Sequence, residues 1–212
     1  FGGIADSSTD HYMAGALHDI LEGLDRKKAV LLISLDYSSA FNVMGHRRTL
    51  ESFSSLKGDP SRVRLLASYL SRRQTQILWE DERSSKRTLF TGAAQGTRLS
   101  PLIHSICSDG LLKDLNKINT EHSHRTATKW RMFVDDLGGL FTLDEDELRR
   151  DSNGKLQVSD PTGRISASLR AIYNFSKETG MLLNTGKTAS IVWSGKKEDI
   201  HLDEILFPDG IG

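Results

Sequence analysis

The chain has a single cysteine, Cys107, in 212 residues. A lone thiol excludes an internal disulfide and any cysteine-rich zinc site, and it fits a reducing compartment. His122 and His124 follow it by 15 and 17 residues without a second thiol, so they read as loop histidines rather than ligands. No run of about 18 apolar residues exists, which excludes a helical membrane span. The opening FGGIADSSTDH has no basic segment followed by an apolar one, so it is no secretory signal. It also lacks an initiator Met, and we expect a piece of a longer protein. Net charge is missing too. The 28 Lys and Arg residues balance 28 Asp and Glu, with a pI near 7.2. Net charge therefore gives no sign of a polyanionic partner. There is no internal repeat and no low-complexity tract.

What is present is enough apolar residue for a core. Hydrophobic content is 37% and mean hydropathy −0.38, which fits one globular domain, or a domain with a small lobe. Charge is unevenly spread. Arg62, Arg64, Arg72, Arg73, Arg83, Lys86 and Arg87 face only Glu80, Asp81 and Glu82 in the same stretch. An ordinary solvated face and a polyanion contact are equally consistent with such a run.

Residues 13–26 place Met13, Ala16, Leu17, Ile20, Leu21 and Leu24 at helical steps. AVLLISLD (29–36) is short, almost continuously apolar and ends at an Asp, as a buried strand does. YSSAFNVMG reads as a turn and HRRTLESFSSL as a short helix. Pro60 opens a further helix with Ser61 as its cap. QTQILWE and SKRTLF form two strands joined by DERS, and GAAQGTRLSP is a loop. A helix containing Pro101 in its first turn runs to about Lys117. KWRMFV and LGGLFTL flank a tight hairpin, and the polar residues 144–163 are expected to be a long loop. RISASLRAIYNFSKETG is an amphipathic helix with Gly180 after its end. MLLN and TASIVW close the pattern as strands, for an α+β class.

The hairpin carries the anomaly. In MFVDDLGGL, Asp135 and Asp136 adjoin inside an apolar stretch. Two carboxylates about 4 Å apart repel by roughly 4 kcal/mol at an effective dielectric near 20. A solvated turn would tolerate the pair; a divalent cation would hold it. Asp36 ends an apolar strand in the same way. If the strands are neighbours, three carboxylates converge at one edge. We expect Asp36 and Asp135 on adjacent antiparallel strands, close enough to share a cation. Three oxygen donors of one sign favour Mg²⁺, and two such ions can drive an in-line phosphoryl transfer.

A second motif fails. Gly186-Lys187-Thr188 resembles the tail of a phosphate-binding P-loop, which requires glycine at 181. Residue 181 is Met, and Gly180 is one place too far. A P-loop nucleotidase ranks last among the readings.

At this point a family resemblance emerges. LDYSSAFNVMGHRRTL (35–50) resembles the first catalytic motif of reverse transcriptases, whose non-LTR retrotransposon form runs LDLSKAFDTVPHEKLL. GAAQGTRLSPLI (92–103) resembles GVPQGSVLSPLL, FVDD resembles the Y/F-x-DD box, and GMLLNTGKT (180–188) resembles GLxLNxxKT. DSSTDH near the start is similar to the family's GRSTTDH. Four motifs in order are far more specific than any one. The chain is identified as a member of the non-LTR type, over nearly all its length apart from 144–163.

The resemblance implies a polymerase palm, an antiparallel sheet backed by helices, with part of the fingers in residues 1–200. Residues 201–212 would begin the connection to a thumb. It implies RNA-directed DNA synthesis from dNTPs on an RNA template and DNA primer, with two Mg²⁺ ions (Mn²⁺ as a substitute). Asp36 and Asp135 would ligate both ions, Asp136 would support them, and Tyr37 would add a backbone carbonyl. Phe41 would lie under the sugar as a gate against a 2′-OH. Gln95 and Gly96 would pack against the nucleotide and template base. Lys187 would reach the triphosphate and stabilise or protonate the leaving pyrophosphate. A nucleus-located, longer parent polyprotein is the family expectation. Asn42 stands where the family has Asp, Asp6 where it has Arg, and Ala93-Ala94 where it has Val-Pro. Two alternatives stay open: a catalytically silent reverse-transcriptase-like scaffold, and an RNA-directed RNA polymerase. The silent scaffold would need none of Asp36, Asp135, Asp136 and Lys187. The RNA polymerase usually carries SG…T…N where this chain has QGTRLSP.

Overall fold

The structure is a computed structural model and describes residues 8–38, 40–56, 59–94, 96–122, 128–184, 186–196 and 198–202. Asp6, Gln95, His124 and most of the segment 201–212 lie outside them. Helix α1 (Thr9–Asp25) leads into strand β1 (Ala29–Leu35). Three helices follow, α2 (Ala40–Val43), α3 (His46–Ser55) and α4 (Pro60–Leu70). Four two-residue strands come next: β2 (Gln74–Thr75), β3 (Leu78–Trp79), β4 (Glu82–Arg83) and β5 (Arg87–Thr88). Helix α5 (Leu99–His122) precedes β6 (Thr128–Phe133) and β7 (Asp136–Leu143). Strands β8 (Leu148–Arg150) and β9 (Leu156–Val158), helix α6 (Arg164–Thr179), β10 (Ala189–Ser194) and β11 (Ile200–His201) complete it. No helix among the described residues is long and apolar enough to cross a membrane.

The centre is an antiparallel sheet in the order β10-β1-β7-β6. Alternation divides its two faces. Ala29, Leu31, Ile33 and Leu35 of β1 join Leu137, Phe141 and Leu143 of β7 in the main core, covered by Leu111 and Leu115 of α5 and Ile165, Leu169 and Ile172 of α6. On the opposite face lies α1. Two adjacent glycines set both contacts. A Cβ at Gly138 would sit 2.4 Å from the Tyr12 hydroxyl of α1, and one at Gly139 would sit 2.3 Å from the Trp130 ring. The glycine pair in DDLGGL thus makes room for one aromatic on each side of β7.

Helix α1 buries a different stripe from the one its sequence suggests. Asp19 and Gly23 are its buried residues, while Met13, Leu17 and Leu21 are half or more exposed. Gly23 permits close approach to Val30, and Asp19 is drawn in by Lys129, at 2.6 Å, and by Arg131. Ion pairing and close backbone packing orient the helix, with Ala16, Ile20 and Leu24 partly buried beside them.

Other expectations are corrected as well. YSSAFNVMG contains the helical turn α2. The cap of α4 is Asp59, whose carboxylate accepts the Ser61 N–H with Pro60 in the first turn. Carboxylate acceptance there leaves Ser61 free to be helical. The 74–90 hairpin turns at Glu80–Asp81, and its pairing breaks into two short ladders because Ser84 bonds the backbone of Ile77. Helix α5 runs on past Lys117 to His122. Among the described residues MLLN forms no strand and makes one bridge, Tyr37 with Leu183. Residues 144–163 are no loop, since β8, β9 and β11 form a small sheet. Short ladders need backbone partners rather than apolar runs, and a buried ion pair ties this one down. Arg164 donates to both oxygens of Glu147, at 2.6 and 2.8 Å, and to Thr128 and the Thr142 carbonyl. Both partners are only 4% exposed.

Removing one half of a buried pair strands the other charge, at a cost of about 3–5 kcal/mol. Glu147→Ala is expected to lose about that much stability in urea denaturation. A loss under about 1 kcal/mol would mean that water reaches Arg164.

Candidate active site

The β1–β7 register pairs Leu35 with Leu137. One residue further out, Asp36 stands opposite Asp136, the first residue of β7. Phe133 pairs with Asp136, so β6 and β7 are joined by Val134 and Asp135 alone. Val134 has φ 56°, and Asp135 is not in the positive-φ region. Positive φ at only the first turn position matches a type II′ hairpin. A β-branched residue there is strained. The sharp turn leaves Asp135 off the strands at the same corner, so the expected strand pairing of Asp36 with Asp135 is corrected to Asp36 with Asp136.

Charge in this corner is under-neutralised. The Asp136 carboxyl is raised, first by partial desolvation and then by the negative charges of Asp135 and Asp36; Lys187 opposes. Burial, then Asp136, raises the Tyr12 phenol as well. Lys187 is exposed, and its Nζ lies 3.6 Å from Asp36 Oδ2. The three carboxylates stand apart. Among the described residues, only His18, Asp19 and Glu22 bring three ligand atoms within 4.8 Å of one another. That second cluster is already a salt-bridge network. Burial pushes Asp19 up, but hydrogen bonds and charge from Lys129 and Arg131 outweigh it and hold it low. Glu22 pairs with Arg26 and faces Lys129.

Tyr37 follows Asp36 with its ring in the core, edge-on to Phe175, and burial raises its phenol. Its hydroxyl has no partner there. Only the Tyr37 backbone can serve a site on the surface. Phe41, on α2, is half-buried, with its ring centroid 5.3 Å from that of His104. The 90–94 loop is laced to this segment. Ala93 N donates to the Phe41 carbonyl at 2.7 Å and Gly92 N to the Met44 carbonyl at 2.8 Å. Gly92 itself has φ 81°, and a Cβ on it would meet the Asn42 carbonyl oxygen at 2.7 Å. Gly96 also has φ 81°, with open space around it. The loop is thereby held beside Phe41; Gln95 lies outside the described residues.

Two neighbours escaped the reading of the sequence. His104 is fully buried, its Nε2 without a partner, and burial lowers its pKa against the pull of Asp135. A histidine in an apolar helix looks like core, and nothing in its spacing marks it. Asn184 donates its amide to Asp36 Oδ2 at 3.1 Å. In the sequence it ends the strand MLLN and matches the Asn of GLxLNxxKT, with no role at the site assigned to it.

Among curated proteins none matches the chain. Solved structures do. An apo telomerase from Candida tropicalis lacking its C-terminal domain is similar with a TM-score of 0.61 and 15% identity, over 88% of this chain and 36% of its own. The Candida tropicalis telomerase in complex with a TWJ fragment of telomeric RNA gives 0.62 and 12%, over 86% and 29%. The Candida albicans telomerase in complex with the same kind of fragment gives 0.58 and 11%, over 87% and 30%. This chain therefore spans about a third of the length of those telomerases and shares their fold. The sequence profile described as reverse transcriptase (RNA-dependent DNA polymerase) matches residues 6–201. With that match across almost the whole chain, on a fold that brings Asp36, Asp135 and Asp136 to one corner, the protein belongs to the reverse transcriptase family.

Proposed function

We propose that residues 1–200 are the palm and part of the fingers of an RNA-directed DNA polymerase of the non-LTR retrotransposon type, with 201–212 leading toward a thumb. The observation that carries the reading is the Asp36–Asp136 pair with Asp135 in the adjoining turn, facing Lys187. Its template would be RNA and its substrates a primer and dNTPs. The two telomerases bound to telomeric RNA fragments support RNA as the template class.

The donor set fits a hard dication, because three carboxylates with a single exposed ammonium nearby leave an excess of negative charge. Asp36 and Asp135 would hold two Mg²⁺ ions, with Asp136 and the Tyr37 carbonyl in support, and such ions activate the attacking oxygen and stabilise the leaving one. Gathering the carboxylates requires side-chain rotation. The exposed Lys187 ammonium, 3.6 Å from Asp36 and beyond hydrogen-bond length, is available to the leaving pyrophosphate. Phe41, held by the 90–94 loop, lies against the sugar. Gly96 offers backbone without a side chain to the base pair.

Primer extension on an RNA template by the full-length parent tests the reading. Asp135→Asn is expected to abolish extension and to leave the Mg²⁺-free thermal midpoint unchanged or higher; a large fall in that midpoint would make Asp135 structural. A silent scaffold would show no extension from the unaltered protein.

The raised Asp136 carboxyl has a defined pH signature. A folded value above the unfolded one favours folding below the unfolded value and loses that contribution as pH rises through the folded one. Ionised Asp136 is thus unfavourable at neutral pH. Asp136→Asn should raise the urea midpoint at pH 7, and the gain should vanish near pH 3, below the ordinary aspartate range of about 3.9. High salt should shrink the part of the gain that comes from repulsion by Asp135 and Asp36. A gain independent of pH would contradict the electrostatic cause.

Phe41 should discriminate between sugars. A ring against C2′ leaves a 2′-OH no space and no hydrogen bond. Phe41→Val is expected to raise ribonucleotide use relative to deoxyribonucleotide use, while the latter falls less than about tenfold, or 1.4 kcal/mol. The ratio of kcat/KM for the two nucleotides on one template reads it. An unmoved ratio with a loss of about 3 kcal/mol in stability would make Phe41 plain core.

A further inference from the structure

The proposed metal site depends on how Asp36 is held, and the grip on it comes from one residue. Asn184 meets Asp36 twice. Its backbone N–H donates to the Asp36 carbonyl at 2.8 Å. Its side-chain amide donates to Oδ2 at 3.1 Å. The Asn184 carbonyl then accepts from Lys187 N at 3.1 Å, Thr188 N at 2.9 Å and Thr188 Oγ1 at 3.0 Å. A single residue therefore orients the carboxylate and anchors the turn that carries Lys187.

The chemistry of the donor matters. An arginine or lysine at this place would neutralise Asp36 and compete with a cation. A neutral amide orients the carboxylate and leaves its charge intact. Both partners of the Asp36 carboxylate, the Asn184 amide and the Lys187 ammonium at 3.6 Å, are on Oδ2. Oδ1 has no partner among the described residues. With the amide on Oδ2, Lys187 stays beyond hydrogen-bond length. Without it, the ammonium is free to close on the carboxylate and occupy it.

We infer that Asn184 is a positioning residue for divalent-cation binding: its amide fixes Asp36 with one oxygen open and holds Lys187 off the carboxylate. The inference rests on the proposed polymerase reading. Partners of this kind, hydrogen-bonded to a ligating carboxylate, typically change metal affinity by about 10–100-fold.

Mn²⁺ binding to the 212-residue chain, followed by the electron paramagnetic resonance signal of free Mn²⁺, tests it without any activity assay. Asn184→Ala deletes the amide and keeps every backbone bond. Expected are an affinity about tenfold weaker or more and a metal-free thermal midpoint that stays put. In an Asp36→Asn background, adding Asn184→Ala should change nothing further, because the residue acts through Asp36. Thr188→Val loosens the same turn without touching the amide and should bind Mn²⁺ like the unaltered chain. Three results would overturn the assignment: unchanged binding in Asn184→Ala, an equal loss in Thr188→Val or in the Asp36→Asn background, or failure of Asn184→Ala to fold. If Asp36→Asn itself binds Mn²⁺ normally, the fault lies with the metal-site reading instead.

Discussion

Everything at the candidate site depends on the register between β1 and β7. Side chains alternate across a strand, so a slip of one residue would send Asp36 to the core face and Leu35 to the open one. The register is fixed by burial on both sides. Leu31, Ile33 and Leu35 meet Leu137 and Phe141 on the helix-covered face. On the other face Tyr12 approaches Gly138 so closely that no residue with a side chain fits in that position of β7. The apolar run before each aspartate is thus what determines which direction the aspartates take. Two like charges persist in an apolar stretch because they lie where the sheet stops.

That arrangement puts the molecule under an electrostatic load. Asp136 is driven toward its protonated form first by partial desolvation and then by the charges of Asp135 and Asp36, next to a turn strained at Val134. Strain and repulsion of this kind survive only where surrounding structure over-determines them. Here the surroundings are the four-stranded sheet and the helices α5 and α6, with the buried Arg164–Glu147 pair joining α6 to β6, β7 and the segment before β8. The same two kinds of charge pair play opposite parts in the molecule. Around Asp19 and Glu147 cations are matched to anions and close the structure. Around Asp36 the cation paired with it among the described residues is the exposed Lys187, at 3.6 Å.

The helices on the open face follow different rules from those on the core face. Helices α5 and α6 pack apolar stripes, as their periodicity requires. Helix α1 packs through Asp19 and small residues and leaves Met13, Leu17 and Leu21 outward. The 74–90 hairpin likewise exposes Ile77, Leu78 and Trp79, with the acidic Glu80, Asp81 and Glu82 following at its turn. Periodicity reveals a helix, but which stripe turns inward is settled by what the partner surface offers.

The sequence by itself determined the α+β class, the apolar strand that ends just before Asp36, the existence of the hairpin between β6 and β7, helix α6 with its left-handed Gly180, and the family; the turn of that hairpin falls at Val134–Asp135 rather than at the two aspartates, which makes Asp136 the first residue of β7. These are local or motif-level properties, set by period, turn chemistry and residue identity within a few positions. Tertiary structure alone decided that Asp36 faces Asp136, that Asp135 reaches them from a strained turn, and that polar residues 144–163 form strands around a buried arginine. It also brought Asn184 onto an oxygen of Asp36 across 148 positions of chain, and seated His104 against Phe41. No window of sequence contains such contacts. They exist because antiparallel pairing brings distant residues to one edge, and because a buried or clustered charge must find its partner wherever the fold supplies one.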